Sequence, residues 1–299
     1  MKTLAAILKR LAYHDLFDFP MTAQEIGGRD VAETMRLLSS DEARDAVSER
    51  NGLFCLKGRE EIFAKRFSRY DAAEPKFARA RRFFRFAALV PFLRAAFVCN
   101  TLAKSNARPE SDIDIFAVAA PGRIWTTRLL VSGLASLLGI RRHGADVSDH
   151  LCMSFYVTSD ALDLKRLAID DDVYLAHWLS ELLPIYDEAG IADLIARDNA
   201  WAAGSVPFRS PRIASRRAVP APISVLKRCI ERLIDATCGA ALEAWAKKFQ
   251  MSSIETKWRN QDQRSVGVTV SDTTLKFHEQ DRRAEFRDRY RRKLAELGV

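Results

Sequence analysis

The stretch Cys99-Asn-Thr-Leu-Ala-Lys-Ser-Asn-Ala-Arg-Pro-Glu-Ser-Asp-Ile-Asp-Ile-Phe116 sets two aspartates one residue apart at the entrance to an apolar run. Alternate side chains of a strand share a face, so Asp112 and Asp114 point one way and Ile113 and Ile115 the other. Carried onward, the acidic face reaches Phe116 and Val118, which places the carboxylates at the rim of a core. Asp is depleted in strands, and like charges held close together cost free energy. The pattern therefore calls either for a cation between the carboxylates or for a strand end open to water. Mg2+ meets the first requirement, because it binds one or two carboxylates and fills its remaining positions with water and phosphate oxygens. Two such ions about 3.5–4 Å apart clamp the attacking and leaving oxygens of an in-line displacement.

The flanking sequence supplies a sheet for this strand. "AAFVC" (95–99) predicts a short buried strand before it, and "DIDIFAVA" (112–119) is ended by Pro121-Gly122. A helix carrying Leu130, Val131, Leu134, Leu137 and Leu138 follows, and then a strand over 150–158. Upstream, residues 76–90 read as a basic amphipathic helix stopped by Pro91. This order of short elements predicts a mixed α/β layer.

Toward the N-terminus, Leu4, Ile7, Leu8 and Leu11 share a helical face, and Thr22-Ala-Gln-Glu25 reads as a capping box. A third helix is expected from near Asp30 and a fourth over 41–50. Asn51-Gly52 is a turn signal before the strand-like "LFCLKG" (53–58). Short helices followed by a hairpin predict a winged-helix-like segment over 1–70. A recognition helix must meet phosphates through Lys and Arg. Here Asp30, Glu33, Asp41, Glu42, Asp45 and Glu49 face only Arg36, Arg44 and Arg50. DNA contact is therefore not expected, and a packing or partner-binding role is.

The α+β chain thus divides into the winged-helix-like segment (1–70), a central sheet with helices (71–165) and a helical C-terminal region (166–299). In the last, 170–187 reads as one helix stopped by Pro184, 223–249 as one long helix, and 283–297 as a solvated helix laced with pairs such as Glu285 and Arg289. A Pro/Arg-rich connector lies at 205–222.

The 299 residues, 48% hydrophobic and 29% charged, have ample apolar material for a core. A net charge of +8 is compatible with a polyanionic ligand. Five scattered cysteines without a Cys-x-x-Cys pair read as reduced thiols of a cytoplasmic protein. The five histidines are dispersed and predict no zinc site. Lys2, Lys9 and Arg10 break up the first apolar stretch, so no secretory signal is expected. The most hydrophobic segment, from Phe84, carries Arg85, Pro91 and Arg94, so no membrane span is expected either.

An apolar residue, a small-residue turn, a spacer and then Asp-apolar-Asp-apolar form the signature of the DNA polymerase β-like nucleotidyltransferase superfamily. Cys99-Asn100-Thr101 followed by Ser111-Asp112-Ile113-Asp114-Ile115 resembles it. "ILKRLAYHDLFDFPMT" (7–22) and "GLFCLKGREE" (52–61) look like bacterial proteins in which a winged-helix-like segment precedes such a domain. The resemblance implies that Asp112 and Asp114 are catalytic and hold Mg2+, or Mn2+ in its place. It implies that Asn100 and Thr101 meet the phosphates of a nucleoside triphosphate, with Lys104 and Arg108 of the intervening loop beside them. The implied reaction moves a nucleoside monophosphate to an acceptor hydroxyl and releases pyrophosphate, by positioning and charge neutralisation.

Two departures bear on this. Asn100 stands where the superfamily has Gly, although Asn tolerates left-handed backbone angles. The later strand has no carboxylate; Met153 and Ser154 occupy its middle, and Asp149, just before it, is the expected substitute ligand, ahead of Asp146 and Asp160. A missing ligand keeps a second reading open: a nucleotidyltransferase fold that is weak or inactive in catalysis and serves as a nucleotide-binding or protein-interaction scaffold.

Overall fold

Thr22 accepts the amide of Glu25 at 3.1 Å while Glu25 accepts that of Thr22 at 2.8 Å, so the capping box forms as its sequence predicts. It follows α1 (Leu4–Asp15) and the two-residue β1 (Met21–Thr22), and opens α2 (Ala23–Gly27). Next come α3 (Val31–Leu38) and α4 (Asp41–Ala46). The helix expected over 41–50 stops at Ala46: β-branched Val47 turns extended and begins β2 (Val47–Arg50). Asn51 and Gly52, both at positive φ, return the chain into β3 (Leu53–Leu56). The three strands pair antiparallel in the order β1-β3-β2, and Ile7, Leu11, Phe19, Ile26, Phe54 and Leu56 fill the core beneath them.

This computed structural model describes residues 3–28, 30–144, 146–188, 190–204, 217–220, 225–258, 267–278 and 281–299. The connector expected at 205–222 lies outside them except for residues 217–220.

A long helix, α5 (Ile62–Ala87), runs across the boundary expected at residue 70. The central elements follow: β4 (Leu93–Val98), α6 (Asn100–Ala103), β5 (Ile113–Ala119), α7 (Ile124–Leu137) and β6 (Leu151–Thr158). The C-terminal region adds α8 (Val173–Glu181), β7 (Leu183–Asp187), α9 (Ile191–Asp198), α10 (Val225–Thr237), α11 (Gly239–Trp258), β8 (Val268–Val270), β9 (Thr274–Phe277) and α12 (Arg283–Leu297). Their strands join one sheet in the order β7-β4-β5-β6-β9-β8, parallel between β5 and β6 and antiparallel elsewhere. The architecture is α+β with a mixed sheet. One sheet face packs Ile113, Ile115 and Ala117 against Phe77, Phe84, Trp125 and Val131. The other packs Phe116, Val118 and Phe155 against Leu175, Trp178 and Leu179 of α8.

Three expectations for the C-terminal region are corrected. The helix expected over 170–187 ends at Glu181, and Pro184 lies in β7, an edge strand where a missing N–H is tolerated. The helix expected over 223–249 is two, α10 and α11, divided at Cys238. Helix α12 is not simply a solvated helix: Tyr290, Leu294 and Leu297 pack on the N-terminal core, and its first residue, Arg283, is buried. The five cysteines are free thiols, and among the described residues no helix is long and apolar enough to cross a membrane.

Arg283 donates to Asp172 at 2.7 Å, to Asp281 at 2.7 Å and to the Leu167 carbonyl at 2.7 Å. The side chains of Arg283 and Asp172 are only 8% and 1% exposed. Asp172 also caps α8 by accepting the Leu175 amide at 2.8 Å. Removing one member of a buried pair leaves the other charge uncompensated, so Arg283→Ala is expected to cost about 3–5 kcal/mol in urea unfolding. Arg282→Ala, which breaks only a surface pair with Glu285, should cost under about 1 kcal/mol. Equal losses in the two variants would show that Arg283 does not fasten α12.

Candidate functional site: an acidic strand end and an adjoining basic cavity

Asp112 immediately precedes β5 and Asp114 is its second residue, so both carboxylates belong to the sheet face that covers α8. The turn after β4 is bonded to them directly. Asn100 adopts φ 57°, the left-handed conformation that the Gly-like position requires. Its Nδ2 donates to Asp114 Oδ2 at 2.6 Å, and its Oδ1 accepts from the Tyr174 hydroxyl of α8 at 3.1 Å. Asn100 thus combines a left-handed backbone with a side chain that links Asp114 to Tyr174.

The cation that the paired acids call for is supplied by the chain itself. Arg142 Nη1 donates to Asp112 Oδ2 at 2.6 Å. Across the parallel β5–β6 pair, Cys152 stands beside Asp114, and Asp112, Asp114 and Cys152 bring one potential ligand atom each within 4.8 Å of one another. Burial, and then the Asp112 charge, push the Asp114 carboxyl up to about 6. Burial, and then Asp114, push the Cys152 thiol up to about 12. Burial opposes the Arg142 charge, but Asp112 outweighs it and raises the guanidinium pKa.

The donor set fits one hard cation. Two carboxylates on one face offer Mg2+ the oxygen ligands it prefers, with room for phosphate. A protonated thiol is a poor ligand for that ion, so Cys152 does not complete a three-carboxylate site. The Arg142 side chain is 43% exposed.

Asp149 lies elsewhere. It sits at φ 61° and accepts from Lys76 Nζ at 2.6 Å, and the same ammonium donates to the carbonyls of Pro109 and Ser111 at 2.9 and 2.8 Å. A buried ammonium needs this carboxylate, and Asp149 is not among the ligand atoms gathered at Asp112 and Asp114. The expectation that it supplies the third ligand is corrected accordingly. Lys104 is likewise engaged away from the pair: its ammonium meets Glu181 at 2.9 Å and lies 4.6 Å from the centre of the Phe17 ring. Thr101 and Arg108 do come together. They line a cavity of about 740 Å³ bounded by the N-terminal segment, the loop before β5 and α12.

Sequence spacing did not reveal Arg142 or Cys152, because the β5–β6 register that brings Cys152 to Asp114 and the bridge of Arg141 to Leu151 that carries Arg142 alongside are long-range properties. It also missed a histidine pair. His14 of α1 and His177 of α8, expected to be dispersed, meet at Glu181, at 3.6 and 3.8 Å from its Oε1. The Tyr13 ring stacks on His177 with centroids 3.4 Å apart. His278 is kept neutral by burial, which lowers its pKa to about 4.

Compared with family models, with curated proteins and with solved structures, the chain matches none.

His177 yields a pH prediction. Burial lowers its pKa from 6.5 to about 4, against the pull of Glu181 and with help from Lys104 and Arg10; Tyr13 and His14 complete its surroundings. The unfolded chain takes up the proton near pH 6.5 and the folded chain only near pH 4. The stability this neutral imidazole contributes is full above pH 6.5 and is lost as the pH falls toward 4, about 2 kcal/mol of it by pH 5. Lys104 and His177 hold Glu181 down at about 2 despite its burial, so its contribution is lost only at lower pH. Thermal melting of the wild type should therefore drop between pH 7 and 5, and His177→Gln should flatten that slope. An unchanged slope in the variant would remove His177 as its cause.

Proposed function

We propose that the chain is a nucleotide-binding protein of the nucleotidyltransferase type, acting in the cytoplasm. With Mg2+, or Mn2+, it moves a nucleoside monophosphate from a nucleoside triphosphate to an acceptor hydroxyl and releases pyrophosphate. The observation that carries this reading is the bond from Asn100, on the left-handed turn after β4, to Asp114 on the neighbouring strand. It makes the turn and the acid pair one unit, as a site must be that holds a nucleotide's phosphates against a metal ion. The order β4, turn, β5, helix, β6, with β5 and β6 parallel, supports the same reading. So do the short helices and hairpin that precede it, which we read as a winged-helix-like segment.

In this mechanism Asp112 and Asp114 would hold the metal ion, which when bound would supply positive charge to the triphosphate and the leaving pyrophosphate. Arg142, which pairs with Asp112 here, would have to release that carboxylate to the ion. Thr101 and Arg108 face the phosphates from the adjoining cavity. Asn100 holds Asp114 by its hydrogen bond, and Tyr174 in turn keeps Asn100 in place. Cys152 favours the second reading, a scaffold that binds nucleotide but transfers weakly or not at all, since a neutral thiol stands where a further carboxylate would help.

Calorimetric titration of ATP, GTP, CTP and UTP, with and without Mg2+, tests the site. Wild type and Arg142→Ala should bind in the presence of Mg2+, and Asp112→Asn/Asp114→Asn should lose at least about tenfold in affinity. Binding that ignores both the metal and the double substitution would refute the proposal. Transfer of a radiolabelled nucleoside monophosphate to supplied hydroxyl acceptors then separates enzyme from scaffold.

A further inference from the structure

Helix α12 carries a second feature besides its apolar seam. Arg282, Phe286, Arg289, Lys293 and Glu296 follow the three-to-four spacing of one helix face, and that face forms a wall of the 740 Å³ cavity. The volume falls in the range of small-molecule sites. Seven basic side chains line it against three acids.

Most of the acids are already answered. Asp15 accepts from Arg59 at 2.7 Å and Lys293 at 2.6 Å, and Asp18 from Arg59, Lys65 and Arg69 at 2.7, 3.1 and 3.0 Å. Arg282 and Arg289 share one carboxylate, Glu285, at 2.7 and 3.6 Å. The side chains of Arg108, on the loop before β5, and Arg292, on α12, make no hydrogen bond or ion pair among the described residues, although Asp288 of the same helix feels the Arg292 charge. Two guanidinium groups thus stand on different walls with their donors unbonded, and a third, Arg289, is only weakly paired. Guanidinium forks suit phosphate oxygens, which they bind in bidentate fashion.

The cavity also communicates with the acid pair. Phe286 in its wall stacks on Tyr174 with centroids 5.3 Å apart, Tyr174 bonds to Asn100, and Asn100 to Asp114. Thr101 and Ser111, which line the cavity, flank Asn100 and Asp112 in sequence.

We propose that this cavity is a polyphosphate site, in which Arg108 from the central region and Arg289 and Arg292 from α12 grip the phosphate groups of one ligand across the gap. It rests on the nucleotidyltransferase reading for the source of those phosphates: the triphosphate of the nucleotide, or a phosphorylated acceptor. The C-terminal helix is then part of the substrate site, and the basic balance of the chain has a local use.

The test is calorimetric titration of sodium tripolyphosphate into the full chain in EDTA and low salt. Arg108→Ala and Arg292→Ala should each weaken binding by about tenfold or more, while Arg82→Ala, exposed on α5 away from the cavity lining, should not. Circular dichroism confirms that each variant is folded. No binding by the wild type, or equal binding by all these variants, would overturn the site. Asp112→Asn/Asp114→Asn should retain tripolyphosphate binding in EDTA. Loss there would show that the cavity does not hold phosphates independently of the acid pair, and would overturn the proposal. Competition by saturating Mg·ATP assigns the phosphates to the nucleotide if tripolyphosphate is displaced, and to a phosphorylated acceptor if both bind together. The nucleotidyltransferase reading stands or falls separately, on metal-dependent nucleotide binding by the Asp112/Asp114 variants.

Discussion

A buried ammonium sets the frame on which the acidic strand end depends. Lys76 of α5 is 1% exposed and holds three groups at once: the carbonyls of Pro109 and Ser111, at the approach to β5, and the carboxylate of Asp149, at the approach to β6. Desolvating an ammonium costs several kcal/mol unless its protons are satisfied. All three donors of Lys76 have acceptors, and these come from two loops that also bond each other, the Asp149 amide to the Ser111 carbonyl at 3.1 Å and the Ser148 hydroxyl to the Pro109 carbonyl at 2.9 Å. Once both loops are tied to α5, β5 and β6 enter the sheet side by side in parallel register, and Asp114 meets Cys152. Asp149 is therefore a fixture of the scaffold, and its closeness in sequence to β6 does not bring it to the acid pair.

The repulsion between Asp112 and Asp114 is met in layers. Asn100 donates to one carboxylate, Arg142 to the other, and burial raises the pKa of Asp114 toward neutrality. The two hydrogen bonds lower the cost of keeping two acids on one strand face, while burial favours the protonated form of Asp114. Arg142 is the replaceable part: its side chain is partly in water, whereas Asn100 is locked between Asp114 and Tyr174.

What was legible in the sequence followed the range of the interaction. The capping box at Thr22 and Glu25, the Asn51-Gly52 turn and the alternation that begins β5 each involve residues within four positions of one another, and each formed as read. Val47 was lost inside a helix because its extended conformation is fixed by pairing with Leu56, not by its neighbours. Pro184 read as a helix stop, and the strand around it was hidden because an apolar run does not announce a sheet edge. Lys104 and Arg108 are equally basic residues of one loop; packing against Phe17 and Glu181 takes the first, and the cavity the second. The apolar seam of α12 was masked by the arginines around it, and His14 meets His177 only through tertiary packing.

The N-terminal segment illustrates how charge is consumed by structure. Arg59, Arg66 and Arg69 turn toward Asp15, Glu25 and Asp18, and Arg69 also bonds the Phe17 carbonyl at 2.7 Å. Asn106, from the loop before β5, donates to the same carbonyl at 2.9 Å. The cations that an outward nucleic-acid surface would need are thus directed inward, holding this segment to α5 and to the loop. On α3 and α4, Arg36 and Arg44 are paired with Glu33 and Asp41 of their own helices. A phosphate backbone approaching those helices would meet neutralised arginines and uncompensated acids. The same segment, through Asp15, Asp18, Arg59 and Arg69, is a wall of the cavity.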